Sequence, residues 1–223
     1  GGSKMTPQVL LLLFLSLTAT AHARREPRAW EAQVRCFSSK AQNGEWYDFN
    51  EPVPDLASYS FDNTIESATV TGMWIFYEET DYNAFNAGFV YWIHGIDFST
   101  DFDSQYSNTA SSLRYAGSAF DLNEDSWTVY TGQGFTEGAL FGNTDASTLG
   151  RFSGEVSSII VTGTSDWTFY QGEGFTGSSV CLTPDIHHTS DVRRFDVGIF
   201  PTPSDFDLTD NSIRSVRKGC HSQ

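Results

Sequence analysis

The chain is poor in several things at once. It has three cysteines, Cys36, Cys181 and Cys220, in 223 residues. That is too few for a disulfide-framework miniprotein, and it allows at most one internal bridge with one thiol left over. Basic residues are scarce, 13 Lys and Arg against 28 Asp and Glu, for a formal charge of −15. Such a balance works against nucleic-acid and anionic-membrane partners and suits a cation binder. No stretch beyond the N-terminal region shows helical periodicity over a helix-length window. No run there is apolar enough to span a bilayer, which takes roughly 20 residues. H-E-x-x-H, G-x-S-x-G and S-x-x-K are all absent, so no catalytic residue and no cofactor-binding residue is assigned and the chain reads as a non-enzyme.

The N-terminal region is a separate case. "MTPQVLLLLFLSLTATAHA" (residues 5–23) has a short apolar core and ends in a small-x-small site. This is the form of a secretory signal peptide, which predicts an extracellular, oxidising destination. The rest is rich in what strands need. Aromatics make up 15% of the chain, in short runs such as "WTFY" that alternate and are bounded by turn residues.

One run, "GEGFTG" (residues 172–177), matches the G-x-G-x-x-G pattern of phosphate-cradling loops. A dinucleotide fingerprint needs a helix after the glycines, yet "SSVCLTPD" follows and reads as a strand. The stretch also repeats. "DWTFYQGEGFTG" has a counterpart in "SWTVYTGQGFTEG", with Tyr130 and Tyr170 spaced 40 residues apart. An earlier copy, "MWIFYEETDYNAF", centres on Tyr77, and a weaker one, "VRCFSSKAQNGEW", on Phe37. Each is an aromatic, four residues, usually a second aromatic, then a small residue. A serine element trails each copy: "DNTIES", "SNTASS", "SGEVSS" and "DNSIRS". The glycines are thus expected to serve a folded hairpin, where φ > 0 costs glycine nothing.

These residues resemble the βγ-crystallin family, whose motif is aromatic-x4-aromatic-x-Gly in a folded hairpin closed by a later serine. The resemblance covers most of the chain after the leader. It implies an all-β protein of two βγ-crystallin-like domains, each a two-sheet sandwich of two Greek-key motifs. The first domain is expected over residues 30–117, a linker over 118–126 and the second domain over 127–220. Ser67, Ser112, Ser158 and Ser215 would be the serines that hold the hairpins.

The resemblance also implies calcium, through the family motif N/D-N/D-x-x-S/T-S. Hydroxyl, carboxylate and carbonyl oxygens suit this ion. No copy is perfect. Ser111 follows Ser107 and Asn108; Ser157 follows Ser153 and Gly154; Glu66 follows Asp62 and Asn63; Arg214, a cation, follows Asp210 and Asn211. The expected metal-ligating residues are Asn108, Ser111, Ser153, Ser157, Glu173, Asp62 and Glu66. Ser111 would draw a carbonyl from loop 38–42 and Ser157 from loop 171–174, at Glu173. Arg214 would disable the turn at Asp210 and Asn211. Cys181 and Cys220 fall in one motif and are expected to bridge, which leaves Cys36 free or available for self-association. The expected role is structural or protective outside the cell. A defence or toxin/inhibitor-like binding protein and a metal-free structural protein are the alternatives. The protein partner is not legible.

Overall fold

The computed structural model describes residues 31–221. The leader expected over residues 5–23, and Trp30, lie outside the described residues. Among the described residues every long element is a strand, and the helical turns are 3-10 segments of three or four residues. The first half holds β1 (Gln33–Ser39), β2 (Asn43–Phe49), β3 (Ser67–Tyr77), β4 (Val90–Asp101) and β5 (Ser112–Ala116). The second holds β6 (Ser126–Tyr130), β7 (Ala139–Gly142), β8 (Ser158–Thr162), β9 (Trp167–Gly172), β10 (Thr176–Leu182), β11 (Ile186–Ser190), β12 (Arg193–Phe200) and β13 (Ser215–Lys218).

Among the described residues all strand pairings are antiparallel. In the second half, β10-β9-β13 form one sheet and β11-β12-β8-β6-β7 the other. The two repeats of that half exchange strands. β12, from the fourth motif, pairs with β8 of the third, and Ala146 of the third bridges to Val216 on β13. The first half does the same: Val53 bridges to Leu113 on β5, and residues 98–101 of β4 return to residues 67–70 of β3. Neither repeat can close its sandwich without the other.

The halves differ at one junction. β3 runs through two roles without a break. Its first part pairs with β1 and its last part with β5. It bends at Gly72, φ 94°, where the register against β4 shifts. In the second half the matching run is interrupted between β8 and β9 by "GTSD". Asp125 organises that turn: it accepts from Thr164 N (2.6 Å), Ser165 N (2.9 Å), Ser165 Oγ (2.8 Å) and Lys218 Nζ (2.7 Å). Partial burial pushes its carboxyl up, but the bonds from Lys218 and Ser165 outweigh this and hold it at about 2.

Three apolar clusters follow from strand alternation. On β3, Trp74 and Phe76 point into the first half's core, while Met73, Ile75 and Tyr77 point the other way. On β8, Ile159 and Val161 fill the second half's core, while Ile160 turns outward. The outward residues meet Tyr130, Phe135, Phe195 and Val197 in a third cluster between the halves. Both faces of β3 and β8 are therefore buried, which is why "MWIFY" and "SIIVT" read as almost continuous apolar runs. Segment 118–126 is drawn in too: Leu122 is buried in the third cluster, and Ala32 N donates to Ala119 O (3.1 Å).

The cysteines pair as expected, Cys181 with Cys220, at a Cα–Cα distance of 5.2 Å. Cys36 is free, but self-association through it is corrected by its position. Its side chain is fully buried in the first core, and burial raises the thiol well above its ordinary range. A bridge to a second chain would require that core to open.

Polar contacts also cross between the halves. His94 Nδ1 lies 2.8 Å from His188 Nε2, and Arg193 pairs with Asp97 beside them. Burial lowers the pKa of both imidazoles; the charge of His188 lowers His94 further, while for His188 Asp196 pulls partly back up and His187 pushes down. The sign follows directly. A histidine whose folded pKa is depressed binds fewer protons folded than unfolded, so stability falls as pH drops below about 6.5. Melting temperatures between pH 7.5 and pH 5 should therefore decline, and His94→Gln with His188→Gln should flatten that part of the profile. An equally steep decline in the double variant would show that the pair does not control it.

Candidate metal centre

The site is built from four hairpins and four serine turns. In each hairpin at least two successive residues take left-handed φ: Ala41 and Gln42, Asp81 and Tyr82 with Asn83 after them, Gly134 and Phe135, Gly174 and Phe175. Gly174 answers the question raised by "GEGFTG". Its φ of 63° is a hairpin requirement, and strand β10 follows at Thr176 where a phosphate-binding loop would open a helix. The second left-handed residue folds its ring back on the first aromatic. Tyr77–Tyr82, Tyr130–Phe135 and Tyr170–Phe175 are edge-on pairs with centroids 5.6, 5.4 and 5.9 Å apart. Phe37 lacks such a partner because Gln42 stands there.

The serines close these hairpins in one way four times. Ser67 Oγ accepts from Gln42 N and donates to Ser39 O. Ser112 accepts from Tyr82 N and donates to Glu79 O. Ser158 accepts from Phe135 N (2.9 Å) and donates to Gly132 O (2.6 Å), and Ser215 accepts from Phe175 N and donates to Gly172 O. The residue before each serine donates its N–H to the first aromatic's carbonyl: Glu66 to Phe37, Ser111 to Tyr77, Ser157 to Tyr130 and Arg214 to Tyr170. The structural role expected for the four serines is what the structure shows.

The turns are then paired across motifs. The second residue of each serine element is left-handed: Asn63, Asn108, Gly154 and Asn211. Its N–H reaches into the other motif of the same half. Asn63 N donates to Ala110 O (2.9 Å), Asn108 N to Ile65 O (2.8 Å), Gly154 N to Ile213 O (2.7 Å) and Asn211 N to Val156 O (3.2 Å). Each acceptor lies one residue before the fifth position of the partner element. The first two residues of one element are thereby set against the fifth residue of the other.

The side chains confirm this exchange. Ser157 Oγ lies 2.7 Å from Asp210 Oδ1 and 3.4 Å from Asn211 Oδ1. Glu66 Oε1 accepts from Asn108 Nδ2 at 2.7 Å. The Arg214 guanidinium donates to Gln171 O and Ser212 O, and a Cβ on Gly154 would lie 3.1 Å from its Nη2. Arg214 therefore fills the turn at Ser153 and Gly154. The sequence expectation that it faces Asp210 and Asn211 is corrected, because linear neighbours in the element point to different sites. Glu173 belongs to the Arg214 side as well. Its carboxylate accepts from Thr148 Oγ1, which contacts Ser153 Oγ, and it makes no hydrogen bond to Ser157. In loop 38–42, Ala41 N donates to Asp101 Oδ1. Ser111 is brought to the Asp62–Asn63 turn by the bridge from Asn63 to Ala110. Asp62 there accepts from Asn63 Nδ2.

In the second half Asp210, Asn211 and the Ser157 hydroxyl come together, and in the first the same backbone pairing sets Asp62 and Asn63 against Ser111. These hard oxygen donors, with turn carbonyls nearby, fit calcium. The third, Glu66 with Ser107 and Asn108, offers one carboxylate. The fourth is filled by Arg214 and does not fit a cation. Among the described residues the one grouping of three His, Cys, Asp or Glu donors is Asp166 with Cys181 and Cys220, whose sulfurs are joined to each other.

A sandwich of paired Greek keys whose hairpins are pinned by serines defines an all-β, two-domain structural class. No family model matches the chain, and no curated protein matches it. Solved structures do. Geodin, a βγ-crystallin from Geodia cydonium, is 18% identical over 84% of this chain and 99% of its own, with a TM-score of 0.58. A βγ-crystallin from Ciona intestinalis is 28% identical over 42% of this chain and 98% of its own, with a TM-score of 0.35. An archaeal βγ-crystallin is 24% identical over 43% of this chain and 99% of its own, with a TM-score of 0.36. The likeness to Geodin shows that this chain has the two-domain βγ-crystallin fold.

Removing a hairpin serine should be costly. Ser158→Ala leaves Phe135 N and Gly132 O without their partner in a buried hairpin, a loss of about 1–3 kcal/mol. Urea denaturation should show that decrease for Ser158→Ala and Ser112→Ala, with an unchanged m-value. A change below 0.5 kcal/mol, on the order of a surface substitution, would mean the hairpins hold without the serine.

Proposed function

We propose that this protein is an extracellular, non-enzymatic βγ-crystallin-type protein that binds calcium between paired motifs, with a structural or protective role. Its domains span 30–117 and 127–220, joined by 118–126. The observation that carries the reading is the convergence of Ser157, Asp210 and Asn211 oxygens across two motifs. The signal-like leader and the Cys181–Cys220 bridge support an oxidising destination. The charge of −15 favours a cation partner.

Only one carboxylate serves each of the two better turns, Asp62 in one and Asp210 in the other. Affinity should accordingly fall in the range of extracellular modules, roughly 10⁻⁴–10⁻³ M. Calcium bound to the folded state alone raises the melting temperature with concentration. Cross-motif pairing makes a distinctive forecast. Calorimetry should show that Ser157→Ala and Asp210→Asn each remove the second domain's binding heat, although they lie in different sequence elements. Arg214→Ser should leave that heat in place, since Arg214 occupies the other turn. Absence of heat and of thermal shift in wild type at millimolar calcium would sink the proposal.

A further inference from the structure

A cleft of about 1000 Å³ opens between the two domains, outside the serine turns. That is the size of a site for a drug-sized ligand, and domain boundaries are where such sites form. Its walls carry three exposed phenylalanines: Phe85 on the second hairpin, 82% exposed, Phe120 on the connecting segment, 74%, and Phe141 on β7, 43%. They come from three separate parts of the chain and meet on one surface. Leaving large apolar side chains together in water is unfavourable, and a patch of this kind rimmed by polar residues marks a binding surface.

The charges on the same walls select the ligand. Asp81, Glu124 and Glu137 all line the cleft. The cation that lines it, Arg114, is 5% exposed, and its guanidinium is already engaged. It donates to Tyr77 Oη, Glu137 O and Phe135 O, and lies over the rings of Tyr77, Tyr82 and Tyr130. Its charge is thus spread over carbonyls and aromatic faces that hold the domains together, and an incoming anion would have to compete with them. Glu124 and Glu137 accept hydrogen bonds from the neutral side chains of Asn143 and Thr131 and so keep their charge; three acidic residues lining an apolar cleft, on a chain of net charge −15, attract the opposite sign. Exposed phenylalanine faces add to this, because aromatic rings attract cations as well as apolar groups.

We propose that the interdomain cleft is a binding site for a small organic cation with an apolar body. The body would lie on Phe85, Phe120 and Phe141, and the cationic group beside Asp81, Glu124 and Glu137. The site is independent of calcium and stands or falls apart from the serine turns.

Titration calorimetry with a matched pair tests it, dodecylammonium against dodecanoate, each below its micelle concentration. Wild type should bind one dodecylammonium at least tenfold more tightly than dodecanoate, and added salt should reduce the difference. Phe120→Ser and Phe85→Ser alter exposed side chains, so melting temperature should hold while affinity falls several-fold. The double variant Asp81→Asn, Glu124→Gln should lose the preference for the cation. Dodecanoate binding as tightly as dodecylammonium would overturn the proposal and make Arg114 the anchor. So would absence of saturable binding to either probe, or dodecylammonium binding unchanged in the phenylalanine and carboxylate variants, which would mark adsorption to an acidic surface.

Discussion

Each serine hydroxyl that closes a hairpin does two jobs with one oxygen. It accepts from an N–H in the left-handed part of the loop and donates to a carbonyl on the preceding arm. Folding the loop back forces two consecutive residues into φ > 0, a conformation that costs non-glycine residues energy. In two of the four hairpins the first of those residues is glycine; in the others it is Ala41 and Asp81. The strain is tolerated because the loop's polar groups are satisfied there and, in three of the four hairpins, an aromatic pair covers it. Once the loop is fixed, the residue before the serine is fixed as well. Its main chain is tied to the first aromatic, and its side chain then points across to the other motif. Cross-pairing of the turns, and with it every oxygen cluster described above, rests on that pinned serine.

The fold was largely legible because it is repeated. Four aromatic hairpins at regular spacing, each with a trailing serine, specify both the element type and the number of units. The calcium turns were less legible. A linear motif suggests that its own first, second and fifth residues meet in space, whereas strand exchange separates them. Arg214 illustrates the difficulty: beside Asp210 and Asn211 in sequence, it lies against Gly154 in space. One signal was available. The second position reads Asn, Asn, Gly, Asn, residues tolerant of left-handed backbone, which marks a tight turn whose N–H points outward to a partner. The pairing of Cys181 with Cys220 was legible from the motif boundaries. The burial of Cys36 was not, because its strand neighbours Arg35 and Phe37 give opposite indications of which face is inside.

The cleft between the domains had no sequence signal. Phe85, Phe120 and Phe141 come from a hairpin, a connection and a short strand, and only the docking of the two halves brings them together. Nothing local distinguishes them from core phenylalanines such as Phe76 or Phe169. The same holds for Arg114. It occupies a strand position between Leu113 and Tyr115, yet its guanidinium crosses to the second half and takes carbonyls from Phe135 and Glu137.

The third apolar cluster has a further consequence. β3 and β8 each lend one face to their own domain and the other to the shared layer. Loosening either domain strips the partner of a wall of its packing, so the two cannot melt as independent beads on a string. Heat or denaturant should act on them as a single cooperative body, and damage confined to one domain, such as a chemically altered core side chain, should lower the resistance of both. Endurance is then set by the weaker half, and the two sequences have to hold together.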